Sequence, residues 1–273
     1  MKVIVSHDVD HLTVWEHYKD LILPKYYVRN TLEMMAGVVS FKEYCRRYAD
    51  LLTNKWQNLD ELMTFDASHG VVSTFFIAVA KGYGLSYSLD AAAPWIQKIL
   101  SRGFRTGVHG IAFSSFEEIC RERELFRQIS GLESFGIRMH YLHFSNPTLS
   151  YLRQAGYLFD STVMKMENPY FEEGFPEFPL HLMDGVVCAD RKRKLSNRTL
   201  EEAKSLTKKI IEEAEQNHIA YFTVLFHDRY FSNRFIVWRS WYTWLIQYLC
   251  EKKVQFVTYE DALAEIRKIK RSP

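Results

Sequence analysis

The sequence contains few cysteines, and they are not clustered. The four thiols, Cys45, Cys120, Cys188 and Cys250, lack the short spacing of a zinc ribbon or a redox pair. This pattern excludes a disulfide framework and a thiolate zinc site, and it favours free thiols in a reducing compartment. We therefore expect any metal site in this chain to use imidazole and carboxylate groups.

Long apolar stretches and an excess of one charge are also missing. No stretch approaches the roughly 20 apolar residues that a membrane helix needs, and the apolar start at 1–6 is too short for a signal-peptide core. The 35 basic and 33 acidic side chains give a net charge of +2, which offers no reason to expect nucleic-acid binding. These absences predict a cytoplasmic protein without a transmembrane segment or a nucleic-acid partner.

One local basic run stands out from this even balance. It spans 191–194 and is followed by Arg198. A solvated loop before a helix is the commoner explanation of such a run. The alternative is a patch that contacts the phosphate groups of a lipid-linked or nucleotide-linked sugar.

Short β-like runs alternate with helix-like segments, with no repeat, low-complexity segment or linker. Ser115 and Thr199 each precede a glutamate by three residues, which predicts a capped helix start. The stretch 12–62 lacks clear strands and is predicted to be a helical insertion after the first strand. Residues 1–273 are therefore predicted to form one α/β domain, a distorted (β/α) barrel. The predicted strands cover 2–6, 71–79, 105–109, 137–142, 157–161, 178–182, 221–226 and 255–258.

Histidines and carboxylates are concentrated where the predicted strands end. Six of the ten histidines lie at four strand ends, and the first of these ends also carries Asp8 and Asp10. In a parallel barrel, the carboxyl ends of the strands open into one mouth. A divalent metal that activates water, a carboxylate base and a histidine acid are the groups that amide hydrolysis requires. The strand ends therefore indicate a metal-assisted hydrolase.

Asp8 and Asp10 are two residues apart, so in a regular strand they share one face. Two adjacent carboxylates repel each other, and a metal ion or Arg138 would relieve the repulsion. The alternative is a pair of loop carboxylates that cap a turn. In a similar way, Asp184 and Asp228 either orient catalytic histidines or cap turns.

Five short motifs follow one another along the chain. In chain order, they are Asp8-x-Asp10, Gly107-x-His109, Arg138-x-x-Tyr141, the segment 156–161 and Leu225-x-His227. Together they resemble the polysaccharide deacetylase (NodB-homology) family, carbohydrate esterase family 4. The form of 138–142 is most similar to the bacterial subgroup associated with surface polysaccharide and O-antigen biosynthesis. The resemblance implies a distorted (β/α) barrel of the NodB type and removal of an N-acetyl group from an amino sugar.

The resemblance also implies roles for the matched residues. Asp8 corresponds to the catalytic base, Arg138 to the arginine that orients it, and His227 to the general acid. Asp10 and His109 correspond to ligands of a divalent metal, which we expect to be zinc.

The predicted substrate contacts come from three parts of the chain. By the same resemblance, Leu225 lines the acetyl pocket, and we place Tyr141 beside the substrate. Phe178 and Pro179 belong to a stretch that could form a substrate wall, since aromatic rings stack on sugars. The alternative for that stretch is a proline-punctuated lead into a strand.

The chain departs from the family at one metal ligand. The family carries a second histidine four residues after the first, and Phe113 occupies that position here. We predict that His140, which stands where the family usually has proline, supplies the missing imidazole. His7 and His11 are the alternatives. Failing these, the domain would bind glycan or a biosynthetic partner without catalysis, or would hydrolyse another C–N bond.

The sequence thus predicts a metal-dependent hydrolase of an N-acetylated sugar. The expected substrate is a lipid-linked or nucleotide-linked cytoplasmic precursor of a surface polysaccharide such as O-antigen.

Overall fold

A parallel sheet carries the strand ends singled out above. The computed structural model describes residues 1–190 and 197–271, so the basic run 191–194 lies outside the described residues. The strands are β1 Lys2–Val9, β2 Thr74–Ile77, β3 Arg105–Gly110, β4 Ile137–Met139, β5 Tyr170–Glu172, β6 Phe175–Glu177, β7 Leu182–Met183, β8 Tyr221–Leu225 and β9 Gln255–Phe256.

Helices surround this sheet on its outer side and follow the strands along the chain, as in a (β/α) barrel. They are α1 Ile22–Met35, α2 Phe41–Tyr48, α3 Asp50–Thr53, α4 Leu59–Ser68, α5 Leu89–Ser101, α6 Phe116–Ser130, α7 Thr148–Ala155, α8 Asp184–Val187, α9 Leu200–Gln216, α10 Ile236–Glu251 and α11 Tyr259–Arg271. Within the described ranges, no helix is both long and apolar enough to cross a membrane.

The sheet order is β4-β3-β2-β1-β8-β7, every neighbouring pair is parallel, and β9 adds a short pairing to β1. Beyond β4, the sheet continues through Asp160, which bridges Ile137 on one side and Glu177 on the other. The sheet therefore curls around on itself, and the predicted distorted (β/α) barrel is confirmed. Its central strand, β1, is buried along almost its whole length, which explains its unbroken apolar start.

Three predicted strands differ from the observed ones. The segment 157–161 contributes only the bridges of Asp160. The predicted strand 178–182 is replaced by an antiparallel β5–β6 hairpin before it and by the short β7 at its end. Pro176 and Pro179 have no N–H to donate to a ladder, which accounts for the interruption. The fourth strand stops at Met139 because the two residues after His140 have left-handed φ values of 55° and 53°.

The predicted helix starts are confirmed. The Ser115 hydroxyl accepts a hydrogen bond from the Glu118 amide at the start of α6. Thr199 and Glu202 form a reciprocal capping box at the start of α9. Within 12–62, the helices α1 to α3 follow one another without a strand, and the single-domain organisation stays a prediction.

Aromatic rings fill the space beneath the strand ends. Phe159 stacks on Tyr259 with ring centroids 4.5 Å apart, and both rings are fully buried. Gly136 lies directly against this pair, because a Cβ there would stand 2.2 Å from the Phe159 ring. The absence of a side chain at Gly136 therefore allows β4 to approach the core closely.

Replacing Gly136 with alanine should destabilise the protein by about 1–3 kcal/mol or more, since the methyl group overlaps Phe159. Urea unfolding would measure the change. Gly185→Ala is the matched control, because its new Cβ would meet its nearest neighbour at an ordinary 3.7 Å. Equal stability of both variants would contradict the close approach.

Candidate active site

Most of the predicted site residues meet at the carboxyl edge of the sheet, around a cavity of about 390 Å³. Because the strands are parallel, the ends of β1, β3, β4 and β8 all open there. The lining residues are Asp8, Asp10, His11, His109, His140, Tyr141, Leu142, Met183, Gly185, Leu225, His227 and Tyr230.

Asp8 is held by a buried arginine beneath the cavity. The Arg138 Nη1 lies 3.1 Å from the Asp8 Oδ1 and 2.8 Å from the Ser6 hydroxyl. Nε donates to the Ser161 carbonyl at 2.8 Å, and Nη2 donates to the hydroxyls of Ser161 and Tyr259 at 2.8 and 2.7 Å. Burial opposes the charge, but Tyr259 and Asp8 outweigh it and raise the pKa of Arg138. A charged, fully bonded guanidinium therefore fixes the Asp8 carboxylate.

Asp10 meets two imidazoles. Its Oδ1 lies 3.2 Å from the His109 Nε2 and 3.3 Å from the His140 Nδ1, and these two nitrogens are 3.0 Å apart. Burial opposes the ionisation of Asp10, and positive charge on the facing rings of His109 and His140 is what outweighs it and lowers the pKa of Asp10. The three atoms form one compact group of candidate metal ligands.

The second nitrogen of each imidazole fixes its tautomer. His109 Nδ1 lies 3.1 Å from the Arg138 carbonyl oxygen, and His140 Nε2 lies 3.2 Å from the Tyr83 carbonyl oxygen. A carbonyl can only accept, so each of these nitrogens carries the proton. In the neutral rings, the lone pairs of His109 and His140 then point towards each other and towards Asp10. Such an arrangement needs a positive charge, either a proton on one ring or a metal ion.

The donor set fits a divalent metal such as zinc. Imidazole and carboxylate bonds of about 2.0–2.1 Å in a tetrahedral site place neighbouring ligand atoms about 3.3 Å apart. The observed separations of 3.0 to 3.3 Å match this spacing. In addition, the buried Asp10 Oδ1 has no hydrogen-bond partner of good geometry. Asp10, His109 and His140 could therefore hold the ion.

The other candidate histidines are occupied elsewhere. His7 is fully buried, with its ring nitrogens 2.9 Å from the Phe226 carbonyl and 2.9 Å from Asp66. The His11 Nδ1 bonds to the His17 Nε2 at 2.8 Å. His17 in turn donates to Asp20 at 2.7 Å, so this pair is satisfied without a metal.

Phe113 packs near the candidate metal ligands but is not one of them. Its ring centroid is 6.4 Å from that of Tyr83 and 5.1 Å from that of His143. Tyr83 is the residue whose carbonyl orients His140. Phe113 therefore packs near the residue whose carbonyl orients His140.

His227, two residues after the end of β8, faces the three candidate metal ligands. Its Nδ1 donates to the Asp184 Oδ1 at 2.8 Å, and its Nε2 lies 3.7 Å from the Asp10 Oδ2. Burial alone would lower the pKa of His227, but the buried Asp184 carboxylate raises it to about 10. His227 is therefore an imidazolium at neutral pH, with its Nε2 proton directed towards the cavity.

The predicted substrate contacts divide into two groups. Leu225 and Tyr141 line the cavity, and the Tyr141 side chain is largely exposed there. Phe178 and Pro179 are buried and are not brought to the cavity. The Phe178 ring instead packs against Tyr259, with centroids 5.3 Å apart, so the structure gives this stretch a place in the core.

Two supporting groups had weak sequence signals or none. The sequence offers both Asp184 and Asp228 as carboxylates that could orient a histidine. Asp228 instead accepts a hydrogen bond from the Asn58 backbone amide at 3.1 Å. The Tyr83 carbonyl was missed, because a backbone oxygen has no residue signature. Tyr83 has a left-handed φ of 49° and precedes Gly84 in a turn. Neither a tyrosine nor a glycine alone predicts such a turn.

No protein-family model matches the chain, and no curated protein matches it by sequence. Solved structures share its fold. A candidate polysaccharide deacetylase from Mycobacterium smegmatis has a TM-score of 0.66 and 15% identity, covering 99% of this chain and 91% of its own. PuuE allantoinase has a TM-score of 0.62 and 11% identity, covering 95% and 87%.

A third structure is the Xyl-CE4 domain of a multidomain xylanase from the hindgut metagenome of Trinervitermes trinervoides. Its TM-score is 0.51 at 11% identity, and the match covers 96% of this chain and 89% of that one. At such identities, these likenesses show the fold and not the reaction. The fold is the distorted (β/α) barrel of the NodB type.

Replacing His140 with alanine should remove bound metal without unfolding the protein, because one of three ligands is lost. Metal analysis and circular dichroism of protein purified without chelator would test this. The control is His218→Ala, which removes an exposed imidazole far along the chain from the group. Unchanged metal content in the His140 variant would refute its role as a ligand.

Replacing Asp184 with asparagine should lower the pKa of His227 by one unit or more, since the carboxylate that stabilises the imidazolium becomes neutral. The sign follows from the raised value of about 10 in the native protein. An NMR titration of the histidine ring signals in metal-free protein would measure it. With Asp90→Asn, an exposed control, His227 should titrate as in the native chain; the same titration in the Asp184 variant would contradict the pairing.

Proposed function

We propose that this chain is a member of the polysaccharide deacetylase family and removes an acetyl group from an N-acetylated amino sugar. The observation that carries the proposal is the convergence of Asp10, His109 and His140 on one point between Asp8 and His227. Metal ligands, a base and an acid then surround one cavity, which is the complement that amide hydrolysis requires.

In this proposal, Asp8 is the base. Its Oδ1 is engaged by Arg138 at 3.1 Å, and its Oδ2 lies 3.9 Å from the His109 ring. The arginine holds the carboxylate at the edge of the cavity, which Asp8 lines. Asp8 can therefore accept a proton from the water that attacks the amide carbon.

His227 is the acid. An amide nitrogen leaves as an amine only when it is protonated, and the His227 Nε2 carries a proton at neutral pH. The Asp184 bond to Nδ1 holds the ring with Nε2 facing the cavity. After the proton moves to the amine, the Asp184 carboxylate still fixes the tautomer that can receive another proton.

Asp10, His109 and His140 would hold the metal, and the expected ion is zinc. A bound ion would polarise the amide carbonyl and activate the attacking water. Leu225 supplies an apolar wall for the acetyl methyl group, and the exposed Tyr141 ring supplies a face for the sugar.

The substrate would be a lipid-linked or nucleotide-linked precursor of a surface polysaccharide such as O-antigen, processed in the cytoplasm. What supports this narrower choice is the form of the segment 138–142, which places His140 and Tyr141 after Arg138. Supporting contacts are those of Arg138 with Asp8, of His140 with Asp10, and of the exposed Tyr141 with the cavity.

A second candidate is hydrolysis of another C–N bond in a molecule that is not a sugar. The fold is shared with an allantoinase as well as with sugar deacetylases, so fold does not choose between them. Phe113 stands where the family has a metal-binding histidine. This difference in the ligand set supports the second candidate. Parallel assays of a cyclic ureide and of N-acetylated sugars would separate the two.

The native protein, purified without chelator, should release acetate from an N-acetylated sugar precursor, and Asp8→Asn should lower kcat/KM by about 10² to 10⁴. Asparagine keeps an oxygen for Arg138, so metal content and circular dichroism should stay unchanged. Asp90→Asn, at the exposed start of α5, is the control. Less than about a tenth of an equivalent of metal, together with no acetate release, would defeat the proposal.

A further inference from the structure

A second cavity, of about 320 Å³, adjoins the candidate active site. We call it the arginine cavity. The helical insertion forms one side through α1 and α2, and the residues after β7 and β8 form the other. Its lining includes Arg29, Glu33, Arg47, Gly185, Arg229 and Tyr230.

Positive charge dominates this lining. It contains three arginines, and Glu33 is the one acid among its described members. Glu33 is already divided between two of the arginines, because its carboxylate oxygens lie 2.7 Å from the Arg29 Nε and 2.8 Å from the Arg47 Nη1. Arg47 also pairs with Glu43 at 2.8 Å. Two of the three cations are therefore compensated by the chain itself.

Arg229 is the cation that remains. Across the described ranges, no carboxylate forms an ion pair with it within 4.0 Å. Its Nε and Nη2 are buried and have no hydrogen-bond partner. Arg229 as a whole is half-buried and lines the cavity, so an oxyanion there would give its guanidinium a counter-ion.

Aromatic rings hold Arg229 in place. Its guanidinium carbon lies 4.1 Å from the Trp56 ring centroid, 4.6 Å from that of Tyr26 and 5.5 Å from that of Phe235. These contacts fix the planar group and limit the entropy lost when it pairs with an oxyanion. They do not neutralise its charge.

The arginine cavity and the active-site cavity share part of one wall. Gly185 and Tyr230 line both. Gly185 directly follows Asp184, which orients His227, and Tyr230 directly follows Arg229. The candidate acid and the arginine cavity therefore lie on either side of shared wall residues.

We propose that the arginine cavity binds an anionic group, a phosphate or a carboxylate, of the same substrate whose amide lies at the active site. The planar guanidinium pairs well with both kinds of oxyanion. This inference rests on the proposed function for the identity of the amide. It adds that the substrate is an acidic derivative of the amino sugar, and that the insertion supplies its recognition.

Calorimetric binding to the native protein would test the proposal with three probes: N-acetylglucosamine, N-acetylglucosamine 1-phosphate and N-acetylglucosaminuronic acid. At least one charged sugar should bind about tenfold more tightly than the neutral one, and the charged probe that gains affinity identifies the group. Arg229→Gln should abolish this preference and leave the neutral sugar unaffected. Arg239→Gln, which removes an arginine of α10 outside the cavity, should change nothing.

Two results would overturn the inference: equal binding of neutral and charged sugars by the native protein, or an equal loss for all three in the Arg229 variant. If that variant does not fold, inorganic phosphate should compete with the charged sugar, but not the neutral one, for the native protein. Failure to compete would also refute the cavity's role.

Acetate release, assayed separately, distinguishes this inference from the proposed function. Charge preference without release would reject the deacetylase and retain the anion site, whereas release without preference would do the opposite.

Discussion

The carboxylate of Asp10 and the imidazoles of His109 and His140 face one another across 3.0 to 3.3 Å, and this contact sets the demands on the rest of the site. Both rings are turned so that lone pairs point inward, because their outer nitrogens donate to the carbonyls of Arg138 and Tyr83. A group of three acceptors is repulsive unless a cation lies among them. The ring orientations therefore favour a metal ion more strongly than residue identities alone.

Arg138 orients both the proposed base and one proposed metal ligand. Its side chain fixes Asp8, and its backbone carbonyl fixes His109. The guanidinium can serve this role because Ser161 and Tyr259 satisfy its remaining donors in a fully buried position. The base and one metal ligand are thus oriented by the same residue, and the aromatic core under β4 supports both.

The sequence predicted the positions of β1, β2, β3 and β8 because continuous apolar runs followed by polar residues mark buried parallel strands. His140 could be selected because it occupies the strand end beside Arg138. Other features depend on distant parts of the chain: the Tyr83 carbonyl comes from a turn, and Phe178 was wrongly placed beside the cavity because its strand phase was not readable around Pro176 and Pro179. The sequence also could not predict that Arg229 lacks a counter-ion, because this depends on which acids pair with the other arginines in the fold.

X-ray absorption at the metal edge, on protein purified without chelator, tests the central claim most directly. The account predicts a bound divalent metal with two imidazole nitrogens and one carboxylate oxygen at about 2.0–2.1 Å, completed by light atoms from solvent. A shell with a single imidazole, a shell containing sulfur, or protein that binds no metal would contradict it.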